Sequence, residues 1–145
     1  MNRIERFETA GRALAECRAF NREERVIIVE GLRDKEALIQ LGFTGDVEKV
    51  NRGWTLEKFI AYIFENYNSE PIILMDWDRT GGRLQKKLMD SLSSLDLKPS
   101  DQCRKILSKS LRPETLCVED INTFADELLP IINFHDPQED ELPFL

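Results

Sequence analysis

Two four-residue apolar runs, Val26-Ile27-Ile28-Val29 and Ile72-Ile73-Leu74-Met75, constrain the fold of this chain more than any other feature. Each is too short for a helix and is apolar at consecutive rather than alternate positions, the pattern of a strand buried on both faces. Such strands need helices on two sides, and the sequence supplies them. Ile4, Phe7, Leu14 and Cys17 share one helical face over residues 3–20, and Lys35, Leu38 and Leu41 mark a helix that stops at Gly42. Thr55 is placed as an N-cap before the stripe Leu56, Phe59, Ile60, Ile63 and Phe64, with Trp54 and Phe59 set to staple its first turn. Residues 46–50 read as a second strand, 81–92 as a helix, 95–98 as a short fourth strand, and 101–110 and 119–132 as further helices. Strands alternating with helices predict an α/β fold: a mostly parallel sheet of about four strands, flanked by helices and joined by right-handed crossovers.

A chain of 145 residues with 41% hydrophobic content fits one compact unit. Within it, residues 1–23 read as an N-terminal helix, 24–112 as the α/β domain, and 113–145 as a C-terminal helix with an acidic tail from residue 136. No apolar run approaches the roughly 20 residues needed to span a bilayer, and the charged first residues do not resemble a secretory signal, so a cytoplasmic protein without a membrane partner is expected. Cys17, Cys103 and Cys117 are odd in number and widely spaced, and His135 is the sole histidine. Neither a disulfide framework nor a zinc site is expected from them.

The net charge of −7 argues against a simple nucleic-acid coat protein, yet its distribution is uneven. Residues 79–112 carry nine basic and three acidic side chains, while residues 113–145 carry nine acidic and no basic ones. A basic middle is compatible with phosphate recognition; the acidic end either lies across it and competes for Arg79, Arg83 and Lys86, or forms an ordinary packed helix over 119–132 with the last ten residues trailing in solvent.

Three polar clusters follow predicted strands: Glu30-Gly31, Asn51-Arg52-Gly53 and Asp76-Trp77-Asp78. In parallel α/β sheets, ligand sites form beyond the carboxyl ends of the strands, so these clusters should converge. Glu30, Asp76 and Asp78 brought together would repel one another, and a hard divalent cation such as Mg²⁺ is the simplest agent to keep them ionised. Asp34 alone reads as an acidic residue favouring a helix start. Arg79, Arg83, Lys86 and Lys87 lie where a helix begins after Asp78 and could grip phosphate, with Lys86 and Lys87 equally well read as a solvated face. Gly81 and Gly82 would let a backbone approach a ligand closely, or mark a turn before the helix.

The run Val26-Ile27-Ile28-Val29-Glu30-Gly31, followed by Asp76-x-Asp78-x-x-Gly81, resembles the paired signatures of Toprim domains, found in bacterial-type primases, topoisomerases and certain nucleases. Residues 30–38, 51–53 and 76–82 closely resemble small stand-alone primase-like Toprim proteins, over roughly residues 24–110. That resemblance implies a Rossmann-like Toprim fold and Mg²⁺-dependent chemistry on phosphodiesters, nuclease-like or primase-like, with Mn²⁺ as a substitute. It implies Glu30 as general acid or base and Asp76 and Asp78 as metal ligands, with Asp34 the candidate for a second metal. Phosphate would fall to Arg79, Gly81, Gly82, Arg83 and Arg52, and the partner would be DNA or RNA.

Two other readings stay open. A lone Toprim domain lacks the domains with which primases position substrate, so it could be a non-catalytic module that binds nucleic acid or a protein partner with Mg²⁺. Asp76-x-Asp78-x-Thr80 after an apolar strand also fits haloacid-dehalogenase-type phosphatases, in which Asp76 would be a nucleophile.

Overall fold

The structure, a computed structural model, describes residues 1–67 and 70–138. Helix α1 (Arg3–Arg22) leads into β1 (Ile27–Val29), α2 (Leu32–Gln40), β2 (Val47–Lys49), α3 (Leu56–Asn66), β3 (Ile72–Ile73) and α4 (Arg79–Ser93). Helix α5 (Gln102–Ser110), a 3-10 helix (Glu119–Phe124) and α6 (Ala125–His135) complete it. The three strands form one parallel sheet in the order β2-β1-β3. No helix among the described residues is long and apolar enough to cross a membrane.

The central position of β1 explains its continuous apolar run. Ile27 and Val29 enter one core with Ile72 and Leu74, whereas Ile28 enters the opposite core with Ile73 and Met75. The first core is covered by α1, α2, α5 and α6 through Leu14, Leu38, Leu107 and Leu128, and the second by α3 and α4 through Phe59, Ile63, Leu88 and Leu92. Thus α2, which follows β1, and α4, which follows β3, leave the sheet on opposite faces. The crevice between the carboxyl ends of β1 and β3 is therefore the topological switch point of the sheet, the place where ligands bind in open α/β folds.

Local sequence chemistry sets several boundaries as expected. The Thr55 hydroxyl caps α3 by accepting the Lys58 N–H at 3.2 Å. Ile4, expected on the buried face of the first helix, is instead 81% exposed, because the core begins one turn later at Phe7. Residues 95–98 do not form a strand. They turn after α4 with Asp96 at φ 62°, and Pro99 then offers no N–H to a ladder. Only Ser100 bridges to β3: its N–H donates to the Pro71 carbonyl at 2.8 Å, and its carbonyl accepts from Ile73 at 2.9 Å.

Side chains close the rest of that edge. The buried Gln85 carboxamide donates to the Ile73 carbonyl at 3.0 Å and accepts the Met75 N–H at 3.1 Å. The Arg104 guanidinium then takes the Met75 carbonyl at 3.1 Å. A backbone bridge, an amide and a guanidinium thus stand where a fourth strand was expected.

The C-terminal segment also differs from expectation. Asp136, at the start of the predicted loose tail, is buried against Arg18 and Arg22 of α1 at 2.7 and 2.6 Å. Glu114 and Glu127 likewise pair with Arg6 and Arg3 of α1 rather than with the basic face of α4. Residues 139–145 of the tail lie outside the described residues.

Candidate functional site

Glu30 and Asp76 leave β1 and β3 at the switch point, and the two segments are tied directly: Glu30 Oε1 accepts the Asp76 backbone N–H at 3.1 Å. Asp76 Oδ1 accepts the Val118 N–H at 2.9 Å, which anchors the segment before the 3-10 helix to the same crevice. Asp78 is the N-cap of α4, with Oδ1 accepting from Gly81 at 2.7 Å, and Asp34 closes the first turn of α2 by accepting from Gly31 at 3.0 Å. Each carboxylate therefore has a structural duty, consistent with the helix-start reading of Asp34. Glu30 Oε2, Asp76 Oδ2 and Asp78 Oδ2 accept no hydrogen bond among the described residues, and each keeps some exposure to solvent.

The four negative groups act on one another. Burial, with the charges of Asp34, Glu30 and Asp78, pushes Asp76 up to about 7, against the partial relief given by the Val118 N–H. Burial also raises Glu30, helped by Asp34 and Asp78, and raises Asp34, where the Gly31 and Glu119 amides pull it partly back. Among the described residues, no three carboxylate, imidazole or thiol groups are gathered closely enough to form a ready-made cation cage. Glu30, Asp76 and Asp78 share the edge, but each has one oxygen engaged by a backbone N–H. The donors are hard anionic oxygens with one free atom apiece, the chemistry that suits Mg²⁺.

Two arginines absent from the sequence-derived set brace this edge. Arg104 of α5 donates to the Asp76 carbonyl at 2.9 Å in addition to that of Met75, and Arg112 donates to the Trp77 carbonyl at 3.2 Å. Burial and the neighbouring Arg112 lower the pKa of Arg104, while Asp78, Asp101 and Asp76 oppose that shift. The buried Trp77 indole donates to the Thr115 carbonyl at 2.7 Å, fixing the segment between the two aspartates. The surplus of basic residues in 79–112 was the one sequence signal pointing to these arginines.

The predicted phosphate ligands divide into two groups. Arg79 and Arg83, on the first turns of α4, are exposed and make no ion pair or hydrogen bond among the described residues. Arg52 is committed elsewhere. Its guanidinium pairs with Glu48 at 2.9 Å, donates to the Lys49 carbonyl at 2.8 Å and lies over the Trp54, Phe59 and Tyr62 rings.

Gly81 and Gly82 lie inside the first turn of α4 rather than before it. A Cβ on Gly81 would fall 2.1 Å from the Asp76 carbonyl oxygen, so the close approach it permits is to its own chain. At Gly82 the nearest group is the Arg104 guanidinium, 3.5 Å from such a Cβ.

No family model matches the chain. A solved structure of a protein from Aquifex aeolicus is similar in fold, with a TM-score of 0.64 and 26% identity, covering 74% of this chain and 94% of that one. Among curated proteins, a UPF0292 protein of Thermococcus gammatolerans is 32% identical over 79% of this chain and 82% of its own length. Another, from Methanosarcina acetivorans, is 34% identical over 140 residues, 97% of this chain and 94% of the relative. Similarity of that extent, running through both strand-end clusters and the helices that brace them, shows that the chain belongs to the UPF0292 family.

Proposed function

We propose that this chain forms a Toprim-type domain, a Rossmann-like variant with a minimal sheet, that carries out Mg²⁺-dependent phosphodiester chemistry on nucleic acid. The observation that carries the reading is the meeting of Glu30 and Asp76 at the switch point of the sheet, with Asp78 capping the adjoining helix. Glu30, Asp76 and Asp78 would hold the ion, with Asp34 behind them, and Mn²⁺ can replace Mg²⁺. A divalent cation held there would neutralise negative charge on a phosphodiester and its leaving group. Glu30, raised by burial, is suited to exchange a proton at its free Oε2. Arg79 and Arg83 present unpaired cations to an approaching phosphate, and Arg104 with Arg112 holds the 75–77 backbone in place.

The test is a Mg²⁺ and Mn²⁺ activity screen on structured RNA, single-stranded DNA and primed templates, paired with calorimetric Mg²⁺ titration. The expected result is metal-dependent cleavage or extension that Asp76→Ala lowers by more than the roughly 10–100-fold typical of losing a supporting contact around a metal. Turnover that survives unchanged in Asp76→Ala belongs to a contaminant and removes the enzymatic reading. Mg²⁺ and nucleic-acid binding without turnover leaves a binding module.

A further inference from the structure

We propose that the open cleft between the β2–α3 loop and α4 seats one nucleoside of single-stranded nucleic acid, beside the phosphate engaged at the carboxylate edge. The assignment rests on the phosphodiester reading above and names where the substrate lies. The cleft has a volume of about 540 Å³ and is lined by Asn51, Gly53, Trp54, Leu56, Leu84 and Lys87, among others. That volume lies within the usual range for small-molecule sites, roughly 300–1,000 Å³.

The cleft is built on segments tied to the carboxylate edge. The Asn51 N–H donates to the Glu30 carbonyl at 2.9 Å, so the loop that forms one wall is hydrogen-bonded to the residue that begins the acidic cluster. The other wall is α4, the helix that Asp78 caps. A strand of nucleic acid with a phosphate at Arg79 and Asp78 would run along α4 past Leu84 and Lys87.

Chemistry selects the occupant. Trp54, Leu56 and Leu84 give apolar surface for a planar base, and no acidic side chain lines the cleft. Glu48, the nearest carboxylate on β2, is consumed by Arg52, Tyr62 and Tyr67 at 2.9, 2.6 and 2.5 Å. Of the positive charges at the cleft, Arg52 is held by Glu48 and lies over Trp54, whereas Lys87 is exposed and without an ion pair among the described residues, and the Lys58 ammonium lies 4.6 Å from the Trp54 ring centre. A base stacking on Trp54 would displace Lys58 and leave its charge for the adjoining phosphate. Gly53, at φ 79°, keeps the rim beside Trp54 open, since a Cβ there would meet nothing within 4 Å.

Tryptophan emission of the full chain in Mg²⁺, titrated with short single-stranded DNA and RNA oligonucleotides and with abasic strands of equal length, tests the assignment. The chain has two tryptophans, and Trp77, 2% exposed with its indole N–H bonded, lies beside the carboxylate edge, so the emission change that Trp54→Phe removes is the part that reports Trp54. Strands with bases are expected to bind about tenfold more tightly than abasic ones, as base–aromatic stacking gives. Trp54→Phe should narrow that ratio, and Lys87→Glu, an exposed change that does not threaten folding, should lower the salt slope of binding by about one. Equal affinity for abasic and base-containing strands, with Trp54 emission unmoved, overturns the cleft assignment and leaves the carboxylate edge standing. Failure of the wild-type chain to bind any strand overturns the phosphodiester reading and the cleft with it.

Discussion

Asp76 concentrates the electrostatic tension of the molecule in one side chain. Its raised pKa means that the folded, metal-free protein binds a proton there more tightly than the unfolded chain does. The stability linked to this group is therefore fully present below the unfolded pKa of about 3.9 and is lost as pH rises to about 7. Asp76→Asn keeps an acceptor for the Val118 N–H while removing the charge. Its metal-free melting temperature should exceed that of the wild type at pH 8, by on the order of a few degrees after allowance for solvent screening, and match it near pH 4. A variant less stable than the wild type at pH 8 would contradict this. That Glu30 and Asp76 leave neighbouring strands at one edge was legible in the sequence, because each directly follows a four-residue apolar run. Arg52 is held for an equally local reason: its acceptor Glu48 sits four residues earlier on a strand, and its aromatic neighbours are Trp54 in the next loop and Phe59 and Tyr62 of α3.

At the scale of elements, the edge of β3 is the feature that sequence patterning could not supply. The strands and the Thr55 cap follow from short-range chemistry, but the groups closing β3 come from Gln85 and Arg104, on helices whose approach depends on the finished fold. The same dependence hid Arg104 and Arg112 from the site. Gln85→Ala leaves the Ile73 carbonyl and the Met75 N–H without their partner, and it should cost on the order of 2–4 kcal/mol in urea unfolding. Lys86→Ala, removing an exposed pair one residue away, should change stability by less than about 1 kcal/mol. A similar cost for the two variants would mean that water readily replaces the Gln85 amide.

Across the whole molecule, the first and last described helices are fastened together at a buried arginine. Arg18, 1% exposed, donates to the Asp136 carboxylate at 2.7 Å, to the Asp136 carbonyl, to the Leu41 carbonyl and to Asn133. Burial alone would raise Asp136, but the hydrogen bonds from Arg22 and Arg18 outweigh it and hold the carboxyl below the usual range. Its stabilising contribution is present above the unfolded pKa of about 3.9 and is lost as pH falls through the lower folded value, opposite in sign to Asp76. Asp136→Ala should cost about 3–5 kcal/mol at pH 7, measured by denaturant unfolding, because it strands a buried guanidinium. The cost should shrink in strong acid, and a loss independent of pH would point to packing instead.

Arg18 and Asp136 are 118 residues apart in sequence. On a ribosome adding about 5–20 residues per second, α1 emerges roughly 6–24 s before the segment that seats it. Throughout that interval the face of α1 that carries Phe7 and Leu14 has no α6 to pack against, and it stays uncovered on that side until α6 has been made.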